Sequence, residues 1–208
     1  MTPSSDPITP IASQTLTQYF SALNSKAPTP GGGAVAGTTG ATAAAIAGMV
    51  VHFTLGKKKY AEFESLNAQL LTRLTDAQSR FLVLADEDTA GYGVLNALWS
   101  LPESDPKRVA EWDDAVAGAI APPTAMLALC LETIGVVSDL TKTTNRMLRS
   151  DLEVAAITCR AAAHSAACNI RINLPLLPDS ARSGAETSMN NTLATIDTLH
   201  DTIVDACR

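Results

Sequence analysis

The 208-residue sequence is poor in charge, in aromatic side chains and in the spacings that bind metals. Charged residues make up 17% of it against 46% hydrophobic, and aromatics only 4%. So little charge for so much apolar surface points to an oligomer that buries further faces. The net charge of −6 is the wrong sign for a nucleic-acid footprint, which argues against that class of partner. No His-x-x-x-His pair occurs, and Cys130, Cys159, Cys168 and Cys207 lack metal-ligand spacing, so no metal is expected. Three of these cysteines sit in Ala-rich helical patterns and read as buried free thiols rather than disulfides. The start, MTPSSDPITP, has no basic segment followed by an apolar core, so no signal peptide is expected and the default location is cytoplasmic.

The scarcity is most pronounced between Lys26 and Lys57, where Asp, Glu, Lys and Arg are all missing. This run opens on PTPGGG and closes on Lys57, Lys58 and Lys59. Its length suits a membrane span. Its Ala, Gly and Thr content, with few strong insertion drivers and no second span, argues against one. A helix that is small and apolar all round belongs in an interior, with the other segments wrapped around it. Gly33, Gly37, Ala44 and Gly48 recur so that another helix can come close, which suggests tight pairing, including across a dimer axis. The expectation is therefore one all-α domain over residues 1–208, a multi-helix bundle around a buried small-residue helix, dimeric, with a loose arm at 1–12.

Helical periodicity divides the rest. A short helix with Ser13 as N-cap carries Leu16, Tyr19, Phe20 and Leu23 on one face. Pro28 and Pro30 hold the next segment extended. A long helix beginning in the lysine run places Phe63, Leu66, Leu70, Leu74, Ala77, Phe81 and Leu84 on one stripe. Four residues further, that stripe lands on Asp88, then on Tyr92, Leu95 and Trp99. The SDPKR segment starts another helix, broken or kinked at Pro122 and Pro123, with a loop over 138–145. Ser150 and Glu153 fit a capping box opening a helix to about Ile172, and a last helix runs from about Ala181.

The polar residues each have two readings. The amides of Gly31, Gly32 and Gly33 at a helix start suit an anion, or the glycines form a hinge. Asp88 on a buried stripe must be partnered, protonated or functional. Asp151 is explained as a first-turn acid favoured by the helix dipole. Asn169 and Asn173 share a face with Ala162 and Ala166, suiting either a polar heterocycle or a bridge between helices. His52 and His164, the latter with Arg160 and Arg171 near it, read as structural.

Taken in order, PTPGGG, MVVHFTLGKKKY, EDTAGYGVLNALWSLP, the Ser150-Asp151 pair and NIRINL resemble the cyclodeaminase/cyclohydrolase family, over roughly residues 16–177. The resemblance implies an all-helical dimer with a folate pocket between helices. It also implies C–N bond chemistry on one-carbon tetrahydrofolate, either formiminotetrahydrofolate cyclodeaminase or methenyltetrahydrofolate cyclohydrolase. Asp88 and Asp151 match the family's acidic positions and are the candidate catalytic residues. Gly31, Gly32, Gly33, Lys57, Lys58 and Lys59 become candidates for the glutamyl-tail carboxylates, polyglutamylated or not, and Asn169 and Asn173 for the pterin edge. The resemblance implies no metal or redox cofactor. Three positions depart from the pattern: Glu153 after the SD pair, Met147 after Asn145, and Gly91-Tyr92 after the ED pair. The rival readings are a non-catalytic helical dimer that binds folate or another anionic heterocycle, and a purely structural helical protein.

Overall fold

The computed structural model describes residues 9–208 and consists of six α-helices joined by short 3-10 turns, with no strand among the described residues. The helices are α1 Leu16–Leu23, α2 Gly32–His52, α3 Glu64–Trp99, α4 Pro106–Thr143, α5 Arg149–Asn173 and α6 Asp179–Cys207. They run up and down. Asp88 and Ala85 of α3 meet Gly33 and Gly37 of α2, while Leu71 meets Gly48, so the two helices are antiparallel. Asn169 near the end of α5 meets Gly32 at the start of α2, and α5 is antiparallel to α2 as well.

The small-residue seam of α2 explains how closely α3 packs on it. A Cβ at Gly37 would lie 2.7 Å from the Phe81 carbonyl oxygen, and one at Gly40 would lie 2.5 Å from the Phe81 ring. Phe81 is fully buried, and it lies on the side of α2 that glycine clears. The seam therefore pairs α2 with α3 of the same chain and is not available to a dimer axis. Nor is α2 wrapped on all sides. Val35, Thr38, Thr39, Ile46 and Met49 are only half-buried, and Thr42 and Ala45 are exposed, so one face stays open. α2 and α4 are long and apolar enough to cross a membrane, but 61% and 50% of their most apolar windows are buried inside the bundle.

Several sequence-based boundaries shift for local reasons. Thr15, not Ser13, caps α1, through a capping box in which Thr15 accepts from the Gln18 amide and Gln18 accepts from the Thr15 amide. Ser13 lies in a 3-10 turn. Ile11 in that turn donates its N–H to Asp86 at 3.0 Å, so the arm is anchored there, while residues 1–8 lie outside the described residues. The lysine run is a 3-10 segment, and α3 begins only at Glu64. The capping box expected at Ser150 and Glu153 does not form. α5 starts at Arg149, leaving Ser150 inside its first turn, and Asn145 instead caps the preceding 3-10 turn by accepting from the Met147 amide.

α4 is the main correction, because it runs unbroken through Pro122 and Pro123 and through most of the segment expected to be a loop. Proline at 122 has no N–H for the carbonyl of Gly118, four residues earlier. That oxygen is the atom Gly91 of α3 approaches, and a Cβ at Gly91 would lie 2.5 Å from it. α3 therefore passes close to α4 where the proline leaves a carbonyl free, and only glycine at position 91 allows that approach.

Candidate active site

At the end of the bundle where α2 begins, a cleft of about 370 Å³ is lined by Pro28, Thr29, Gly31, Gly32, Asp88, Tyr92, Trp99, Ala119, Asn169, Ile172 and Asn173. Each polar group is placed by the helix pairing below it. A Cβ at Gly33 would overlap the Asp88 carboxylate, so the acid packs directly on the first turn of α2. A Cβ at Gly32 would lie 3.1 Å from Asn169 Oδ1, so the amide from α5 packs on the other side of the same turn. Two adjacent glycines thus bring a carboxylate and an amide together at a helix N-terminus.

Burial pushes the Asp88 carboxyl up to about 6, with no neighbouring cation to offset it among the described residues. A carboxyl in that range takes and gives a proton near neutrality, as acid–base catalysis needs. Asn169 donates through Nδ2 to the Ser165 carbonyl at 2.8 Å, and Asn173 through Nδ2 to the Asn169 carbonyl at 3.0 Å. Each amide is thus fixed by its own helix and keeps Oδ1 as an acceptor for a ligand's N–H groups. Asn173 is buried, and Asn169 half-buried.

The aromatic wall was not singled out from sequence. Tyr92 and Trp99 are 37% and 47% exposed, and Trp99 meets Trp112 edge-on at 5.8 Å. Trp112 carries the Arg108 guanidinium 4.5 Å above its ring. Such a half-exposed wall suits a flat ligand. The signal was present, since Tyr92 and Trp99 continue the α3 stripe beyond Asp88 past the point where α2 covers it.

The remaining candidates stand elsewhere. Lys57, Lys58 and Lys59 are exposed at the opposite end of α2, beside Tyr60, whose hydroxyl accepts the Arg146 N–H at 3.2 Å. That bond, with Lys59 nearby, lowers the Tyr60 pKa. Asp151 lies at the same far end, in the first turn of α5. A 21-residue helix spans roughly 30 Å, so these residues and the Asp88 cleft are a helix length apart within one chain.

Other titratable groups do not line the cleft. His164 Nε2 and Arg160 Nε both lie on Asp197 Oδ1, at 2.9 and 2.6 Å, tying α5 to α6, whereas Arg171 is not part of this cluster. His52 is exposed at the end of α2. All four cysteines are free, but only Cys130 and Cys159 are buried, Cys168 being exposed and Cys207 half-buried.

Residues 15–192 match the family model described as formiminotransferase-cyclodeaminase. The chain belongs to the formiminotransferase-cyclodeaminase family. Within this family it is 31% identical to methenyltetrahydrofolate cyclohydrolase of Methylorubrum extorquens over 172 residues, covering 81% of this chain and 83% of that protein. It is 26% identical to formimidoyltransferase-cyclodeaminase of Sus scrofa, over 87% of this chain but only 34% of the relative's length. A crystal structure of formiminotetrahydrofolate cyclodeaminase from Thermotoga maritima superposes with a TM-score of 0.87 at 24% identity, covering 94% of this chain and 96% of that one. That likeness fixes the all-helical fold of the family for this chain.

Proposed function

We propose that this chain is a one-carbon folate enzyme that makes or breaks a C–N bond at the carbon carried between N5 and N10 of tetrahydrofolate. The observation that carries the reading is Asp88, a half-buried carboxyl held against the first turn of α2 and raised to about 6, in a cleft that also presents two fixed amides. As a cyclohydrolase, Asp88 takes a proton from water as the oxygen bonds to the methenyl carbon. The N5–C bond then breaks with protonation of N5, giving 10-formyltetrahydrofolate and one released proton. As a cyclodeaminase, N10 attacks the formimino carbon, and the same carboxyl relays the proton that lets ammonia leave. Both routes pass through a tetrahedral carbon bonded to two folate nitrogens, and both need a positioned nucleophile and a movable proton.

The cyclohydrolase direction is the first reading. The relative of that name is 31% identical to this chain, against 26% for the cyclodeaminase from Sus scrofa. Asn169 and Asn173 hold the pterin edge, Tyr92 and Trp99 flank its plane, and the lysines take the glutamyl carboxylates. Asp151, remote from the cleft in one chain, serves there only if a second copy supplies it. The active form is a homodimer, a reading supported by the open apolar face of α2, and it works in the cytoplasm, where Cys130 and Cys159 stay reduced.

The deciding experiment follows the absorbance of 5,10-methenyltetrahydrofolate with the purified protein against a protein-free control across neutral pH. Accelerated loss of the chromophore supports the cyclohydrolase. If there is none, release of ammonia from 5-formiminotetrahydrofolate supports the cyclodeaminase. Silence in both, with retained folate binding, rejects the enzyme in favour of a binding module.

A further inference from the structure

We propose that Trp112 and Arg108 are positioning residues of the folate site: they hold the Trp99 ring as the outer wall of the cleft and, through it, set the affinity for the pterin. The inference deepens the folate reading and rests on it.

Trp99 is the last residue of α3 and half-exposed, so no further turn of its own helix packs over it. A side chain in that place keeps its rotamer freedom unless something outside the helix holds it. It is also a wall of the cleft. α3 and α5 both run antiparallel to α2, so their C-terminal ends emerge together, and Trp99 stands on the same side of Asp88 as Tyr92 and Asn173. At 1.5 Å per residue Trp99 lies roughly 16 Å beyond Asp88 along α3, and long helical side chains lean back toward the start of their helix, here toward Tyr92. The ring therefore serves the part of a ligand beyond Tyr92 and not the carbon at Asp88.

What holds this ring lies behind it. Trp112 meets Trp99 edge-on, with the ring centroids 5.8 Å apart and the planes at 87°. Trp112 does not line the cleft but packs against Leu95, Leu98, Ala115, Val116 and Ala119, an apolar cluster apart from the main core. Ala119 of that cluster is itself a cleft wall, so the cluster backs the aromatic side of the site. The Arg108 guanidinium sits 4.5 Å over the Trp112 ring and donates through Nη1 to the Leu101 carbonyl at 2.7 Å. Leu101 follows Trp99 by two residues. One side chain thus clamps both the ring that touches Trp99 and the backbone that carries it.

Charge pairing does not account for the placement of Arg108. Its side chain is only 14% exposed, and the nearest acid, Glu103, stands 4.0 Å away and 92% exposed, a pairing of little weight. A guanidinium held that far from water needs an acceptor and a flat face, which Leu101 and Trp112 supply. Edge-to-face contacts are directional, so Trp112 fixes the orientation of Trp99 as well as its place. A flat ligand then meets a wall already ordered, and binding loses less freedom.

The chain has only two tryptophans, so replacing Trp112 leaves Trp99 as the sole indole reporter. Trp112→Phe keeps an aromatic edge, and Trp112→Ala removes it. Fluorescence anisotropy decay should show restricted motion of Trp99 in Trp112→Phe and fast, wide motion in Trp112→Ala. KM for 5,10-methenyltetrahydrofolate should stay near the parent in Trp112→Phe and rise about five- to tenfold in Trp112→Ala, with kcat within about twofold of the parent. Arg108→Leu in the Trp112→Phe background keeps both rings and should loosen Trp99 in the same direction, which serves where Trp112→Ala does not fold.

Trp99→Ala decides whether Trp112 acts through Trp99. Adding Trp112→Ala to it should raise KM no further, because residues acting through one contact are not additive. A further rise overturns the proposal, as does an unchanged KM in Trp112→Ala. Equal Trp99 motion in Trp112→Phe and Trp112→Ala, in a protein that turns over folates, removes the positioning and leaves the folate reading. Unequal motion in a protein that neither turns over folates nor shows Trp99 quenching by 5-formyltetrahydrofolate leaves Trp99 held and overturns the pterin assignment together with the folate reading.

Discussion

The Asp88 carboxylate occupies the space where Gly33 would carry a side chain, so the acid on α3 and the start of α2 are built as one unit. Gly33→Ala tests this. Alanine favours a helix over glycine by about 1 kcal/mol, so propensity alone predicts a gain in stability. The overlap forces Asp88 out of its position instead. The expected outcome is turnover lowered by about a hundredfold, as displacing a reacting group does. Circular dichroism should show helix content unchanged, and methenyl absorbance reports the rate. A Gly33→Ala protein with full activity would mean Asp88 is not the group that moves the proton.

The raised pKa of Asp88 makes a stability prediction of definite sign. In the unfolded chain the carboxyl ionises near its ordinary value of 3.8, and in the folded chain near 6. The folded state therefore holds the proton more tightly. Its advantage is complete below about pH 4 and lost as pH rises through about 6. Asp88→Asn, which cannot ionise, should match the parent at pH 4 and exceed it at pH 8 by about 2 to 3 kcal/mol. Thermal melts of both proteins across that range check it. Lower stability of the variant at pH 8 would show that the charged form is held by partners the cleft does not display.

The same group sets the pH dependence of catalysis. With Asp88 as the base that takes a proton from water, kcat/KM should climb as the carboxyl ionises and level off above about pH 6, after subtraction of the uncatalysed rate. Asp88→Asn should remove that limb and lower the plateau by roughly a hundredfold or more. A profile that falls above pH 6 would assign Asp88 the opposite role, as an acid.

Much of this fold was legible in the sequence because its signals are periodic. The stripe from Leu70 to Leu84 is buried as its spacing requires, and the glycines of α2 mark close helix contact. What the spacing does not contain is the identity of the neighbour: the seam on Gly33 and Gly37 serves α3 of the same chain. Proline statistics misled at α4, which runs through Pro122 and Pro123 within a packed bundle. The T-x-x-Q capping box at Thr15 was as visible as the S-x-x-E at Ser150, and only packing separates the one that forms from the one that does not. For the site, Asp88 could be picked out because a carboxylate on an apolar stripe violates the pattern. Its coming together with Gly32 and Asn169 is a tertiary fact that no local pattern encodes.

Asn169 and Asn173 should contribute to binding more than to the chemical step. Their oxygens accept hydrogen bonds from a ligand already in place, equally in the ground and transition states, so replacing either raises KM while kcat holds. Asn169→Ala is the cleaner test, because Asn173 is buried and its loss opens a gap. An increase in KM of about tenfold is expected, near 1.4 kcal/mol and within the range of one buried hydrogen bond. A fall in kcat at constant KM would place Asn169 against the reacting carbon instead.

The lysine run makes the last prediction, which separates the tail's role from the ring's. Replacing Lys57, Lys58 and Lys59 together by alanine removes three exposed charges and one cation–π contact, of Lys59 over the Tyr60 ring, so the melting temperature should stay within a few degrees of the parent. KM for methenyltetrahydrofolate should rise by roughly tenfold or more, while kcat at saturation is largely kept, because these side chains hold the glutamyl carboxylates and not the reacting carbon. In the parent, KM should also rise with ionic strength, since exposed ammonium groups are screened within about 10 Å at 0.1 M salt, and in the triple variant that dependence should flatten. Adding glutamates to the substrate sharpens the comparison: each further carboxylate should lower KM for the parent and leave the variant unmoved. A triple variant with unchanged KM and salt response would remove the lysines from the site.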